Sequence, residues 1–266
     1  MNKETIGIFD SGIGGLTVAN AISRLLPNEA LIYFGDTAHL PYGDKSESLI
    51  KTFSLNIANF LIEKQNCKAI VIACNTASAV AYEHLRDKHK GNIPIINVID
   101  PIIEAIVKDE TIKTVGLIAT QTTINSGVYQ EKIKRRKPEV DISVLATPLL
   151  VPMIEEGFAH DNISHAVIEN YLQNPKFKNI DALILGCTHY ILIKDEINDY
   201  FKAKVKLFDS TDILAEKLKG ILENENLLST TKEQEDKFYA SDITKDFQKS
   251  ARRFYGNSLE LKPITI

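Results

Sequence analysis

The stretch Ile70-Val71-Ile72-Ala73-Cys74-Asn75-Thr76-Ala77-Ser78-Ala79 decides the fold class: an apolar β-branched run, a cysteine, two polar residues, then the start of a helix. Four consecutive apolar residues suit a strand buried on both faces, which is the habit of parallel sheets covered by helices. The same construction returns as Ala182-Leu183-Ile184-Leu185-Gly186-Cys187-Thr188-His189-Tyr190. A chain that builds the same unit twice is read as two related α/β halves.

Working outward, strands are expected at Ile6 to Phe9, Leu31 to Phe34, Ala69 to Ala73 and Ile93 to Val98. A second set is expected at Thr114 to Ala119, Ile142 to Ala146, Ala182 to Leu185 and Val205 to Phe208. Segments such as Ser46 to Gln65 and Thr76 to His89 carry apolar residues at helical spacing, and the alternation predicts parallel sheets with helices on both sides. In each half an early strand ends in a polar loop, Asp10-Ser11 and Thr120-Gln121, and a later one ends in cysteine. The separations are alike, Asp10 to Cys74 and Thr120 to Cys187, which supports an internal duplication. No Gly-, Ser- or Pro-rich linker divides the halves, so the boundary is placed near Asp100-Pro101. The tail from Asp209 onward reads as including two helical stretches.

Composition narrows the function classes. The 266 residues carry a net charge of −4 with signs well mixed, and 25% of them are charged, as in an ordinary globular protein. The one dense basic cluster, Lys132 to Lys137, falls on an expected helix and reads as a solvated face, so no nucleic-acid partner is expected. No apolar run approaches the roughly 20 residues that cross a bilayer. The start, Met1-Asn2-Lys3-Glu4-Thr5, lacks a signal peptide's hydrophobic region, so the expectation is a cytoplasmic protein with no membrane partner. Three cysteines without an export signal argue against a disulfide framework.

In an open α/β sheet, ligands bind beyond the carboxyl ends of the strands, where Cys74 and Cys187 are expected. A cysteine just before a helix N-terminus meets the positive end of the helix dipole, which favours thiolate and lets the sulfur act as a base. A lone strand-end cysteine reads equally as a small buried hydrophobe. The repetition tips the reading, because two equivalent thiols in a cleft between the halves can approach a ligand from opposite sides. Inverting a stereocentre needs that: one base removes a proton from one face while an acid delivers one to the other. Cys67, after Gln65-Asn66 at the end of a helical stretch, is read as structural. With no C-x-x-C pair, a zinc site is not supported.

Phe9-Asp10-Ser11-Gly12-Ile13-Gly14-Gly15-Leu16 joins the first strand to a helix. It fails the G-x-G-x-x-G spacing of a dinucleotide loop but could cradle a small carboxylate with free N–H groups. Asp10 either orients or repels the nearby thiolate, or caps the helix. A second loop, Gly35-Asp36-Thr37-Ala38-His39-Leu40-Pro41-Tyr42-Gly43, can line the same cleft.

Together with VPMIEEG (Val151 to Gly157), these motifs stand in the order found in the glutamate racemase family, which the chain resembles over nearly its whole length. The tail contributes Phe238-Tyr239-Ala240-Ser241-Asp242 and Ala251-Arg252-Arg253-Phe254-Tyr255-Gly256. The resemblance implies two pseudo-symmetric doubly wound domains with the active site between them. Residues 1–98 plus 208–266 would form one, with the tail returning to it, and 99–207 the other. It implies Cys74 and Cys187 as proton acceptor and donor, with Asp10, Asp36, Glu155 and His189 assisting; Glu156 is by sequence as good a carboxylate as Glu155. It places Asp10, Ser11, Pro41, Tyr42, Gly43, Asn75, Thr76, Thr188 and His189 against the substrate, glutamate. It further implies no PLP, flavin, metal or other cofactor, a homodimer, and supply of D-glutamate for peptidoglycan. Two competitors remain: an aspartate or hydantoin racemase, set apart by pocket length, and a two-domain binding protein with inert cysteines.

Overall fold

The computed structural model describes residues 5–91 and 93–266. The segment Met1 to Glu4, read above for a leader, lies outside them. From Thr5 the chain runs β1 (Thr5–Asp10), α1 (Leu16–Leu25), β2 (Ala30–Gly35), α2 (Glu47–Asn59), β3 (Cys67–Ile72), α3 (Asn75–Lys88), β4 (Ile95–Asn97) and α4 (Ile99–Lys108). A second series follows: β5 (Thr114–Ala119), α5 (Gln121–Asn125), α6 (Val128–Arg136), β6 (Asp141–Ala146), α7 (Leu150–Glu156), α8 (Asn162–Leu172), β7 (Ala182–Gly186), α9 (Lys194–Tyr200) and β8 (Lys206–Phe208). The tail adds α10 (Thr211–Asn224), β9 (Lys237–Ala240), α11 (Lys245–Tyr255) and β10 (Leu261–Pro263).

Two parallel sheets result, in the order β10-β9-β2-β1-β3-β4 and β6-β5-β7-β8. The order 2-1-3-4 of the first four strands is repeated by 6-5-7-8, as the duplication in the sequence predicts. In both sheets the strand ending in the polar loop lies beside the strand ending in cysteine: β1 pairs with β3, and β5 with β7. The crossovers diverge between those neighbours, opening the crevice where α/β sheets bind ligands.

The strands β1, β2, β3 and β7 are buried at every position, because helices cover both faces. One apolar core runs from the α1 side of the first sheet, through Ile99, Ile102 and Ile103 of α4 and Leu214 and Leu218 of α10, into the second sheet. A separate core under α2 and α3 contains Phe9, Phe34, Tyr42, Ile57, Ile72 and Cys74. The halves therefore share packed structure on one side, and the cleft lies at the strand ends.

The tail has the two helices expected of it and adds two strands; β9 pairs with β2 and β10 with β9, extending the first sheet. One expectation needs correction. Cys67 does not close a helical stretch but opens β3 opposite Thr5, whose hydroxyl donates to its sulfur at 3.4 Å. The turn falls at Asn66, whose φ of 55° ends the preceding helical run. The basic cluster lies on and just after α6, where Lys132 pairs with Asp100 at 2.5 Å and Lys137 Nζ donates to Asp109 O and Ile112 O. No helix among the described residues is long and apolar enough to cross a membrane.

Candidate active site

A cavity of about 350 Å³ opens between the carboxyl ends of the two sheets, within the range of small-molecule sites. Cys74 and Cys187 both line it, one from each sheet. Asp10, Ser11, Pro41, Tyr42, Gly43, Asn75, Thr76, Thr188, His189 and Glu155 line it as well. Asp36 does not.

On the first side, Asp10 ends β1 with Oδ2 accepting the Gly12 N–H at 3.0 Å, while its buried Oδ1 has no hydrogen-bond partner among the described residues. Cys74 is the N-cap of α3: its Sγ accepts the Ala77 N–H at 3.4 Å, and its S–H donates to Ser11 Oγ at 3.6 Å. The sequence reading expected the helix N-terminus to favour thiolate here. The structure reverses that. Burial, seconded by the charge of Asp10, pushes the Cys74 thiol up to about 12, and the bonds from Ala77 and Ser11 offset only part of this. Cys74 therefore rests protonated, a proton donor until something removes its hydrogen.

Asn75, next along α3, accepts the Tyr129 hydroxyl at its Oδ1 at 2.7 Å, and its buried Nδ2 has no partner among the described residues. An unpaired acceptor at Asp10 and an unpaired donor at Asn75 cost free energy unless a ligand completes them. Both residues line the cavity, Asp10 with a carboxylate and Asn75 with an amide, though the unpaired atoms themselves are buried in its wall. Thr76 Oγ1 lies 2.9 Å from Thr120 Oγ1, and both lie within 3.3 Å of Thr123 Oγ1, joining the halves through hydroxyls. Among the described residues, no Lys or Arg lines the cavity.

Asp36 stands behind the wall. Its carboxylate accepts the Tyr42 hydroxyl at 2.6 Å, His39 Nδ1 at 2.8 Å and the Ser241 hydroxyl at 3.0 Å. Burial and the Asp36 charge raise the Tyr42 phenol far above its ordinary value, so it stays a donor. The arrangement makes Asp36 a brace for the Tyr42 loop rather than a group that reaches a ligand. His39 is part of that brace and stacks on Phe53 at 4.1 Å between centroids.

On the second side, Cys187 precedes a 3-10 turn, Thr188–Ile193, rather than a long helix. His189 bridges: Nδ1 lies 3.7 Å from Cys187 Sγ and Nε2 lies 2.9 Å from Glu155 Oε1. Burial alone would lower its pKa, but the bonds to Cys187 and Glu155 more than reverse this and raise it to about 10. His189 is thus an imidazolium at neutral pH. Glu156 also lines the cavity, but it is exposed and the carboxylate bonded to His189 is that of Glu155.

The glycine loop behaves differently from its reading as a carboxylate cradle, since of its residues only Asp10 and Ser11 reach the cavity. A Cβ at Gly14 would lie 2.3 Å from Thr188 Oγ1 and 2.5 Å from His189 Nδ1. Glycine is needed there so that the loop of one half can lie against the imidazole of the other. The sequence reading also missed Thr120, Thr123, Thr147 and Tyr129. Thr120 had a signal, since it stands at the end of β5 as Asp10 stands at the end of β1.

Like-wound sheets that deliver equivalent groups to one cavity suit a reaction treating the two faces of a single carbon alike, and the protein is by class an isomerase, an amino-acid racemase. The Asp/Glu/Hydantoin racemase family matches residues 9–218, and the chain belongs to that family, among its glutamate racemases. It is 43% identical over 259 residues to a glutamate racemase of Neisseria meningitidis, covering 97% of this chain and 95% of that one. A glutamate racemase of Francisella tularensis, solved in complex with D-glutamate, superposes with a TM-score of 0.92 at 41% identity, covering 100% of this chain and 98% of that one. The Escherichia coli glutamate racemase, solved with L-glutamate and the activator UDP-MurNAc-ala, gives 0.81 at 27% identity, covering 99% of this chain and all of the other.

Proposed function

We propose that this chain interconverts L- and D-glutamate by proton transfer between two thiols, without a cofactor. The observation that carries the reading is the pair Cys74 and Cys187, brought by equivalent strands of two sheets to one cavity. The relative solved with D-glutamate supports the choice of substrate.

Glutamate's ammonium is assigned to the side of the cavity lined by the Asp10 carboxylate, and a carboxylate to the side lined by Asn75 and the hydroxyls of Ser11, Thr76 and Thr188. Neutral donors and backbone N–H groups hold anions without the strong grip of a guanidinium, which suits a substrate that must also leave. One sulfur removes the α-hydrogen as the other delivers a proton to the opposite face, and the roles exchange with direction. Cys74, resting as a thiol, is the donor for the enantiomer whose α-hydrogen faces Cys187. His189 holds a proton beside Cys187, and Glu155 holds His189. The carbanion character formed beside the carboxylate is stabilised by fixed donors in a cavity that closes around it.

We read the chain as two domains, 1–98 plus 208–266 and 99–207, working as a homodimer in the cytoplasm and supplying D-glutamate for peptidoglycan synthesis. The test is incubation of the purified protein with D-glutamate, no cofactor added, following optical rotation. Decay to zero supports the reading. A constant rotation, or racemisation of aspartate in preference to glutamate, overturns it.

A further inference from the structure

We infer that the tail helix α11 is the positioning element for the Glu155–His189 pair, with Phe254 its principal residue; the inference rests on the two-thiol reading above. Three contacts converge from this one helix. The Phe254 ring lies 5.2 Å from the His189 imidazole between centroids, with the planes 79° apart, and both residues are buried. The Ser250 hydroxyl donates to the Glu155 carbonyl at 3.3 Å. The Arg253 guanidinium lies over Gly157, the residue that closes α7 just after Glu155: a Cβ there would fall 2.5 Å from Nη1. The far end of α11 is tied to α1, where Asn20 Nδ2 donates to the Tyr255 carbonyl at 2.6 Å.

The physical need for such an element follows from the imidazole itself. A histidine ring turns about a broad, roughly two-fold torsion, and one hydrogen bond to Glu155 leaves much of that freedom. Its second polar contact, 3.7 Å to Cys187 Sγ, is the long, weakly directional hydrogen bond of a sulfur and holds the ring only loosely. Apolar packing is what remains. Phe254 meets the ring nearly edge to face, while the backbone of Gly14 lies close to Nδ1 and adds no side chain. From α7 the ring faces one charged group, Glu155, and within its own loop the Cys187 sulfur. Both packing contacts come from segments joined to the first sheet, while His189 follows a strand of the second. The last stretch of the chain thereby fixes the plane in which a proton passes between His189 and Cys187. Phe254 touches no substrate and is a positioning residue.

The test uses the full chain with Phe254→Ala, Phe254→Tyr and, as a control, Leu259→Ala, a buried residue just after α11 whose carbonyl, which alanine keeps, accepts Gln248 Nε2 and Arg252 Nε of that helix. Two quantities are read: kcat and KM for both glutamate enantiomers, and the iodoacetamide labelling rates of Cys187 and Cys74, resolved by peptide mass spectrometry without substrate. Phe254→Ala is expected to lower kcat by about ten- to a hundred-fold, the scale of an ångström of misplacement, with KM little changed. Its Cys187 should label more slowly while Cys74 keeps the wild-type rate, and Phe254→Tyr should restore both readings. Leu259→Ala should lower thermal stability without altering the ratio of the two labelling rates. Should Phe254→Ala not fold, Phe254→Leu, which keeps bulk but not the flat ring, carries the same expectation. A wild-type ratio and kcat in the folded Phe254 variants, or an equal change of ratio in Leu259→Ala, overturns the inference. Labelling reads geometry without turnover, so a wild-type protein inert toward glutamate would refute the functional reading while leaving the ratio to judge this one.

Discussion

Replacing Glu155 by Gln keeps the shape of the side chain and its contact with His189 Nε2 but removes the negative charge 2.9 Å from the ring. In the native site, Glu155 and Cys187 together overcome burial and raise His189 to about 10. Removing an opposite charge at this range should lower the pKa by about 1–3 units. At 1.36 kcal/mol per unit, that is about 1.4–4 kcal/mol of preference for the imidazolium lost. The sign follows: a proton that native His189 keeps until pH approaches 10 is released earlier, so the alkaline limb of kcat/KM moves to lower pH. Stability follows the same linkage. A raised histidine pKa stabilises the fold fully below the ordinary value near 6.5, and that contribution is lost as pH rises through about 10. Wild-type thermal stability should therefore decline across that window, and Glu155→Gln should show less of the decline. The assay is a pH–rate profile by polarimetry beside thermal melts at each pH. Glu156→Gln is the control, since that exposed residue is not the one bonded to His189. Profiles of Glu155→Gln and wild type that superpose would refute the reasoning, as would a shift produced by Glu156→Gln instead.

Other outcomes follow from the same geometry. Cys74→Ser or Cys187→Ser should cut turnover of both enantiomers by about 10²–10⁴-fold, measured by circular dichroism with either isomer as starting material. Asp10→Asn should lower the Cys74 pKa from about 12 by removing a nearby like charge, so Cys74 should label faster with iodoacetamide at a fixed pH near 9; an unchanged rate would mean burial acts alone. Lys68 and Glu29 form a buried pair at 2.7 Å, with side chains 3% and 1% exposed, and Lys68 Nζ also holds the Leu227 carbonyl. Lys68→Met should cost about 3–5 kcal/mol, read as a melting point lower by on the order of 10 °C. Adding Glu29→Leu should recover much of that loss.

The architecture was legible because fully buried parallel strands leave continuous apolar runs, and all eight strands expected between Ile6 and Phe208 form, with ends shifted by a residue or two. Strands β9 and β10 were not legible. Lys237–Ala240 and Leu261–Pro263 are three or four residues long and lie toward the sheet's edge, too short for a period to show. The site was legible where chemistry sits directly at a strand end, as at Asp10, Cys74 and Cys187. It was not legible where a residue acts through another. Asp36, expected from the resemblance to assist the thiols, is bonded to Tyr42 behind the cavity wall, and Gly14, expected in an anion-binding loop, lies against His189. Nor could spacing reveal that burial outweighs the helix N-terminus at Cys74, because desolvation depends on every neighbour in three dimensions.

The two thiols stand in unlike surroundings, and thermodynamics restricts where that difference can appear. Cys74 is buried with Asp10 nearby and rests protonated, whereas Cys187 has an imidazolium 3.7 Å away. Yet the enantiomers of glutamate have equal free energy in water, so the equilibrium constant is one for every variant at every pH. Both directions cross the same transition state from isoenergetic free substrates, and kcat/KM must be equal for D- and L-glutamate. Unlike environments can therefore make kcat and KM differ between the enantiomers, by favouring one bound enantiomer over the other, but any change in kcat/KM must be the same for both. Asp10→Asn and His189→Asn should each skew kcat between the enantiomers, in opposite senses because each group neighbours a different thiol. Matched specificity constants beneath oppositely skewed kcat values are the expected result. A variant pair skewed in the same sense would mean that Asp10 and His189 do not serve separate thiols.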